Sequence, residues 1–253
     1  MQDIYVGDAG KGFPLVLVHG FLGSSIMWGP QINYLKKKYR VITPDLPGFG
    51  SSCKVESKNS INEMAQIILD CLKEKKIGNF FLLGHSMGGM IAQEMAKLVG
   101  EKIDKLVFYG TGPVGNIPGR FETINESRNR LKKDGLENTA YRIAKTWFVE
   151  EEKSKYFYLC DQAGKTTTLE AVDNALIAMK NWDGTENLKN IKNSTLIIWG
   201  DKDKAYNFNQ IDVLNKNIPN NEIAIFKGCS HNIHLEKPDE FNKCIDNFFL
   251  SHT

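Results

Sequence analysis

The chain has 253 residues, enough for one domain with a large core, and its 42% hydrophobic and 25% charged content is typical of a folded globular protein. Its 32 Lys and Arg side chains nearly balance 30 Asp and Glu, which excludes the overall charge expected of a nucleic-acid or anionic-membrane binder. We therefore expect neither nucleic acid nor membrane as a partner. The first residues lack a basic segment followed by a long apolar stretch, which predicts a cytoplasmic location.

The spacing of cysteines, histidines, acids and glycines does not indicate a metal or cofactor site. The five cysteines are scattered with no C-x-x-C pair, and the histidines and acids form no recognised ligand pattern. Residues 7–12 are glycine-rich but lack the spacing and the Ser or Thr of a phosphate-binding loop, so we interpret them as a hairpin turn. We expect no metal and no other cofactor.

Short apolar runs of β type alternate with helical patterns along most of the chain. They cover residues 15–19, 40–43, 80–83, 105–109, 195–199 and 222–226. This alternation predicts an α/β fold with a mostly parallel sheet covered by helices on both faces.

Two helices carry clear start signals. Ser60 and Glu63 form a capping box, and apolar residues at helical spacing follow it: Ile61, Met64, Ile68 and Leu72. Pro238, followed by two acids, predicts the first turn of the last helix.

The alternation stops between residues 109 and 194. From about residue 120 to residue 190 only helical stretches are recognisable, at 141–148 and 169–179. We predict an α-helical cap at residues 112–187, inserted before the last two strands. The core then comprises residues 1–111 and 188–253.

One short segment has the pattern of a nucleophile. Residues 84–88 read Gly-His-Ser-Met-Gly, with an apolar run before them and a helical pattern after them. In this G-x-S-x-G context the serine occupies a strained turn that projects its hydroxyl above the sheet, and larger neighbours would clash at the glycine positions. We therefore predict Ser86 as a nucleophile, the alternative being an ordinary turn that contains a serine.

A serine hydroxyl needs a base within reach, and the base needs an orienting acid. His231 lies in the loop after the last strand, where a parallel sheet gathers its functional loops, so we predict it as the base. We interpret His234 as a surface or pocket-edge residue. Asp201 and Asp203 both follow the preceding strand, and their positions alone do not separate them. Asp45 is expected to support its own loop through backbone hydrogen bonds.

The order of these motifs resembles the α/β-hydrolase superfamily over essentially the whole chain. The matching segments are residues 19–23 (HGFLG), 44–50 (PDLPGFG), 84–89 (GHSMGG), 200–203 (GDKD) and 230–231 (SH), with Glu236 and Pro238. The resemblance implies that Asp203 rather than Asp201 is the triad acid, and it supports His231. It also implies an oxyanion hole made by the backbone N–H groups of Phe21 and Met87.

The residue at position 86 narrows the chemistry within that superfamily. Because it is serine and not aspartate, the alkyl-enzyme chemistry of haloalkane dehalogenases and epoxide hydrolases is not expected. Residues 86–91 and the stretches 132–138 and 145–148 look like 3-oxoadipate enol-lactonases, which often carry Asn-Ser where this chain has His19-Gly20. The resemblance implies hydrolysis of a small carboxylic ester or lactone through an acyl-enzyme. Leu22, Trp147 and Trp182 are candidates to line the substrate pocket.

Two alternatives stay open. One is a carbon–carbon bond hydrolase or lyase using the same triad, although members that cleave vinylogous diketones commonly have tryptophan just after the histidine, where this chain has Asn232. The other is a non-catalytic ligand receptor on the same fold.

Overall fold

A computed structural model of the chain describes residues 3–117 and 122–251. The strands are β1 (Val6–Ala9), β2 (Phe13–Val18), β3 (Tyr39–Pro44), β4 (Phe80–His85), β5 (Ile103–Tyr109), β6 (Ser194–Gly200) and β7 (Asn221–Phe226). The α-helices are α1 (Gly29–Leu35), α2 (Ile61–Glu74), α3 (Met87–Val99), α4 (Ile124–Lys145), α5 (Phe157–Lys165), α6 (Leu169–Asn181), α7 (Phe208–Asn217), α8 (Ile233–Glu236) and α9 (Pro238–Leu250). Short 3-10 helices lie at Ser25–Trp28, Gly50–Ser52, Gly100–Lys102, Glu151–Lys153 and Thr185–Asn190.

The strands form one seven-stranded sheet in the order β1-β3-β2-β4-β5-β6-β7. Strands β2 to β7 pair in parallel, which confirms the predicted α/β fold, and each predicted apolar run overlaps one of them. Strand β1 was not predicted; it pairs antiparallel with β3. The hairpin predicted at residues 7–12 is wrong, because β3 lies between β1 and β2 and the two strands flanking the turn do not pair.

Successive side chains of each central strand enter two separate cores, as the two-residue period of a strand requires. Val16 and Leu82 join the core under α2 and α3, whereas Leu15 and Leu83 join the core under α1 and α9. Both faces of the sheet are therefore covered by helices.

The predicted helix starts are present. Ser60 Oγ accepts a hydrogen bond from Glu63 N (3.4 Å), and α2 buries the four predicted residues Ile61, Met64, Ile68 and Leu72. Helix α9 begins at Pro238, whose missing N–H costs nothing in a first turn.

Helices α4, α5 and α6 follow β5 and precede β6, where the sequence predicted a helical insertion. Gly135, at φ 79°, interrupts α4. The two ends of this segment lie side by side, because Val114 and Asp183 form an antiparallel bridge and Gly184 N donates to Pro113 O (2.8 Å). The boundaries 112–187 and 1–111 with 188–253 stay predictions, and residues 1–2, 118–121 and 252–253 within them lie outside the described residues.

None of the helices in the described ranges is both long enough and apolar enough to cross a membrane. The loops after β4, β6 and β7 meet at the carboxyl edge of the sheet, beneath the helical segment. Binding sites of parallel α/β sheets form at this edge.

Candidate active site

Ser86 occupies a sharp turn between β4 and α3. Its backbone has φ 55° and ψ −119°, a conformation that side-chain-bearing residues rarely adopt. Ser86 N donates to Tyr109 O (2.9 Å), while Ser86 O accepts hydrogen bonds from Gly89 N (2.8 Å) and Thr111 Oγ1 (2.8 Å). Hydrogen bonds to the end of β5 and to the residues after it therefore hold the turn in this strained conformation.

The glycines beside Ser86 permit close approach of backbone. A Cβ atom at Gly84 would meet the carbonyl oxygen of Gly88, and one at Gly88 would meet that of Val18. Helix α3 can therefore start directly against β2 and β4 only with glycine at both positions. This packing accounts for the G-x-S-x-G spacing.

Asp203 and His231 form a buried pair across the loops after β6 and β7. Asp203 Oδ2 lies 2.8 Å from His231 Nδ1, and the exposed fractions of these side chains are 1% and 2%. The other oxygen, Oδ1, accepts from the N–H groups of Ala205 (2.7 Å) and Tyr206 (3.1 Å). A carboxylate can only accept, so His231 Nδ1 carries the hydrogen that it donates to Asp203, and Nε2 is the ring nitrogen left for a second partner.

Asp201, the other acid of this loop, has a different contact. Its Oδ1 accepts from Gly228 N (2.7 Å), which ties the loop after β6 to the turn after β7. The geometry therefore separates the two acids that sequence position alone left equivalent.

A buried aromatic cluster lies behind His231. Its rings are those of His85, centred 4.6 Å from the His231 ring, and of Tyr109 and His234. Tyr109 Oη donates to His231 O (2.8 Å), and His85 Nε2 lies 3.3 Å from the same carbonyl oxygen. The cluster holds the backbone of the predicted base, and no local pattern in the sequence indicates that Tyr109 belongs to it.

His85 and His234 are neutral parts of this cluster. Burial, followed by the neighbouring His231, holds the pKa of His85 well below its ordinary value. Burial likewise lowers the pKa of His234 to about 3. The interpretation of His234 as a surface or pocket-edge residue is wrong: its side chain is fully buried against Trp28 and Tyr109.

The loop after β2 lies against the serine. A Cβ at Gly20 would stand 2.9 Å from Ser86 Cβ, so this loop comes as close as glycine allows. His19 shapes it: Nε2 accepts from Leu46 N (3.0 Å), so Nδ1 carries the proton donated to Gly20 O (2.8 Å). Asp45 supports the adjoining loop as predicted, accepting from Ser25 N (2.6 Å) and Ser51 N (2.7 Å).

The two backbone groups predicted to bind an oxyanion flank this site. Met87 N belongs to the first residue of α3, where a helix presents unsatisfied N–H groups and a positive dipole end. Phe21 lines the same cavity as Ser86. Within residues 3–117 and 122–251, neither the Met87 nor the Phe21 N–H donates a hydrogen bond to a protein atom.

Ser86 and His231 line one narrow cavity beneath the helical segment. The other side chains around it are mostly apolar: Phe21, Ile117, Ile143, Trp147, Met179, Ala205 and Tyr206. Its free volume is about 30 Å³, room for only one or two water molecules. A molecule larger than this volume therefore fits only if the side chains above Ser86 move.

Of the three residues predicted to line the substrate pocket, one lies at the cavity and two lie away from it. Trp147 lines the cavity, and its ring centre lies 6.2 Å from that of His231. Trp182 lies away from this cavity, and its indole Nε1–H donates to Glu94 Oε1 (2.9 Å). Leu22, at φ 56°, is buried in the hydrophobic core. Ile143 was missed, although it lies four residues before Trp147 in the predicted helical stretch 141–148; in the structure α4 ends at Lys145 and Trp147 lies in the turn after it. Tyr206, which stacks on His231 with ring centres 5.8 Å apart, was also missed.

This architecture is that of a known family. A family model described as alpha/beta hydrolase fold matches residues 14–238, so the chain belongs to the α/β-hydrolase fold family. Among curated relatives, a pimeloyl-[acyl-carrier protein] methyl ester esterase of Legionella pneumophila (strain Corby) is 29% identical over 98% of this chain and 99% of that protein.

Solved structures of other proteins have the same fold. An esterase from Exiguobacterium antarcticum superposes with a TM-score of 0.89 at 26% identity, covering 98% of this chain and 96% of that one. The enol-lactonase from Burkholderia xenovorans LB400 has a TM-score of 0.88 at 21% identity, covering 98% and 95%, and this likeness concerns the fold. These matches support an esterase-type hydrolase, the class that the sequence predicted.

Proposed function

We propose that the chain hydrolyses small carboxylic esters or lactones through an acyl-enzyme formed on Ser86. One observation carries the proposal: Ser86, in a strained turn, and His231 line the same cavity, while Asp203 binds the other ring nitrogen of His231. This arrangement supports the proposal, because a nucleophile needs a base in the same cavity and the base needs an acid on its other ring nitrogen.

In this mechanism Ser86 Oγ attacks the carbonyl carbon as His231 Nε2 takes the hydroxyl proton. The tetrahedral intermediate's oxygen accepts from the N–H groups of Phe21 and Met87, each contributing about 3–4 kcal/mol to lowering the barrier. The bond to the alcohol oxygen then breaks, and His231 passes the proton to the leaving alkoxide. Water, activated by the same imidazole, attacks the acyl-enzyme and releases the carboxylic acid.

The apolar lining supports an uncharged, compact acyl group. Ile143, Trp147 and Met179, whose side chains are largely apolar, line the space above Ser86. The name of the Legionella relative further supports including methyl esters among the substrates tested.

The proposal is tested by covalent labelling and by turnover. A fluorophosphonate probe should label the wild type and Ser51→Ala, a change at an exposed serine, but not Ser86→Ala. p-Nitrophenyl esters of graded acyl length, methyl esters and several lactones then define the substrate. Equal labelling of Ser86→Ala would refute the assignment. Absence of turnover together with ligand-induced thermal stabilisation would identify a receptor instead.

A further inference from the structure

Glu236 joins two segments that are far apart in sequence. Its Oε1 accepts a hydrogen bond from Val149 N (2.7 Å), and its Oε2 accepts one from Ser230 N (2.6 Å). Val149 follows α4 in the helical segment, whereas Ser230 directly precedes His231. One half-buried carboxylate therefore holds the helical segment and the loop of the proposed base together.

Further bonds join the same two segments on both sides of His231. Asn232 N donates to Trp147 O (3.0 Å), and Ser230 Oγ lies 3.3 Å from Thr146 O as donor. The backbone N–H groups immediately before and after His231 are thus both engaged, one by Glu236 and one by the segment that Glu236 binds. Trp147 also lines the cavity. The same hydrogen bonds therefore hold both the cavity wall at Trp147 and the loop that carries His231.

A carboxylate suits this position better than an amide. Both groups that it meets are N–H donors, and an ionised carboxylate offers each of them a separate acceptor oxygen in a charge-assisted bond. A glutamine of equal length offers one oxygen and places an NH₂ donor against the second N–H. The substitution Glu236→Gln therefore removes one bond and adds a donor–donor contact without changing side-chain size.

We infer that Glu236 is a positioning residue of the proposed reaction, holding the His231 loop against residues 146–149 so that the base keeps its place when the helical segment is docked. This inference rests on the proposed function. It predicts that Glu236 affects turnover without touching substrate.

The kinetic test compares Glu236→Gln with Glu240→Ala. Glu240 also lies in the C-terminal helical region, but it is exposed and its carboxylate pairs with Lys237, 3.7 Å away. We expect kcat for a p-nitrophenyl ester to fall about tenfold to a hundredfold in Glu236→Gln, because a displacement of a reacting group by about 1 Å can cost about a hundredfold in rate. Glu240→Ala should match the wild type, and an unchanged kcat in Glu236→Gln overturns the inference.

Hydrogen exchange gives a second readout that does not depend on activity. In Glu236→Gln, exchange should accelerate in peptides covering residues 146–149 and 230–236 and stay at the wild-type rate in peptides covering β4 and α2. Acceleration throughout the sheet would assign Glu236 a role in global stability and overturn the positioning role, as would unchanged exchange. If the wild type hydrolyses no ester, the proposed function fails, and local exchange still decides whether Glu236 joins these segments.

Discussion

The backbone of Ser86 stores conformational energy that a pair of substitutions can measure. Ser86→Ala removes the hydroxyl but keeps a Cβ atom at φ 55°, so the strain remains. Ser86→Gly removes the hydroxyl and the Cβ atom, and glycine adopts positive φ without steric cost. Both variants lack the proposed nucleophile, so the difference between their free energies of unfolding reports the conformational energy of the backbone at residue 86.

The magnitude follows from two opposing contributions. A side-chain-bearing residue in such a conformation costs about 1–3 kcal/mol, whereas the greater freedom of glycine in the unfolded chain costs about 0.5–1 kcal/mol. We expect the free energy of unfolding of Ser86→Gly to exceed that of Ser86→Ala by about 0–2.5 kcal/mol, whereas an unstrained turn would make Ser86→Gly less stable by about 0.5–1 kcal/mol. In a chain of this length each kcal/mol corresponds to about 2–4 °C in Tm.

Urea unfolding of the two variants, followed by circular dichroism, measures this difference directly. Equal slopes against urea concentration are required for the midpoints to be compared. If Ser86→Gly is less stable than Ser86→Ala by about 0.5–1 kcal/mol, only the freedom of glycine in the unfolded chain is being measured, and a strained turn is refuted.

Three further outcomes are expected. Asp203→Asn should lower kcat about 10³–10⁴-fold, because an amide favours the wrong tautomer of His231, whereas Asp201→Asn should leave kcat near the wild-type value. Trp147→Ala should shift the preference among p-nitrophenyl esters toward longer acyl chains, since it opens the cavity wall; an unchanged chain-length profile would contradict this placement. Since burial lowers the pKa of His234 to about 3, the unfolded chain binds a proton below about pH 6.5 that the folded chain does not. The free energy of unfolding should therefore fall below pH 6.5 by about 1.4 kcal/mol per pH unit for this side chain, and a flat profile in urea unfolding between pH 7 and pH 5.5 would contradict it.

The sequence predicted those parts of the fold that one local pattern determines. Apolar runs located β2 to β7, and capping signals located the starts of α2 and α9. Strand β1 escaped notice because its four residues include glycine and aspartate and are largely half-buried, which gives neither β propensity nor alternation. β1 lies at the edge of the sheet and pairs with β3, although the turn after β1 leads directly into β2. The hairpin prediction, which assumed that the strands on either side of a turn pair, was therefore wrong.

At the candidate site, local patterns identified single residues and missed contacts between distant ones. The glycines around Ser86 indicate a strained turn because each clash is local. No short-range signal places Tyr109 against the carbonyl of His231, 122 residues away, or buries His234 beneath it. Tyrosine in an apolar run is simply a favourable strand residue until the neighbouring loops are known.

The contact between His85 and the His231 carbonyl links positions 146 residues apart in sequence. The serine turn depends on β2, β4, β5 and α3, all of which precede the helical segment, while the loop of His231 follows the last strand. During synthesis the turn can therefore be complete long before its proposed base has been made. Covalent labelling of Ser86 during refolding would therefore report the time at which the loops after β6 and β7 reach the serine turn, since the proposed acid and base both lie in those loops.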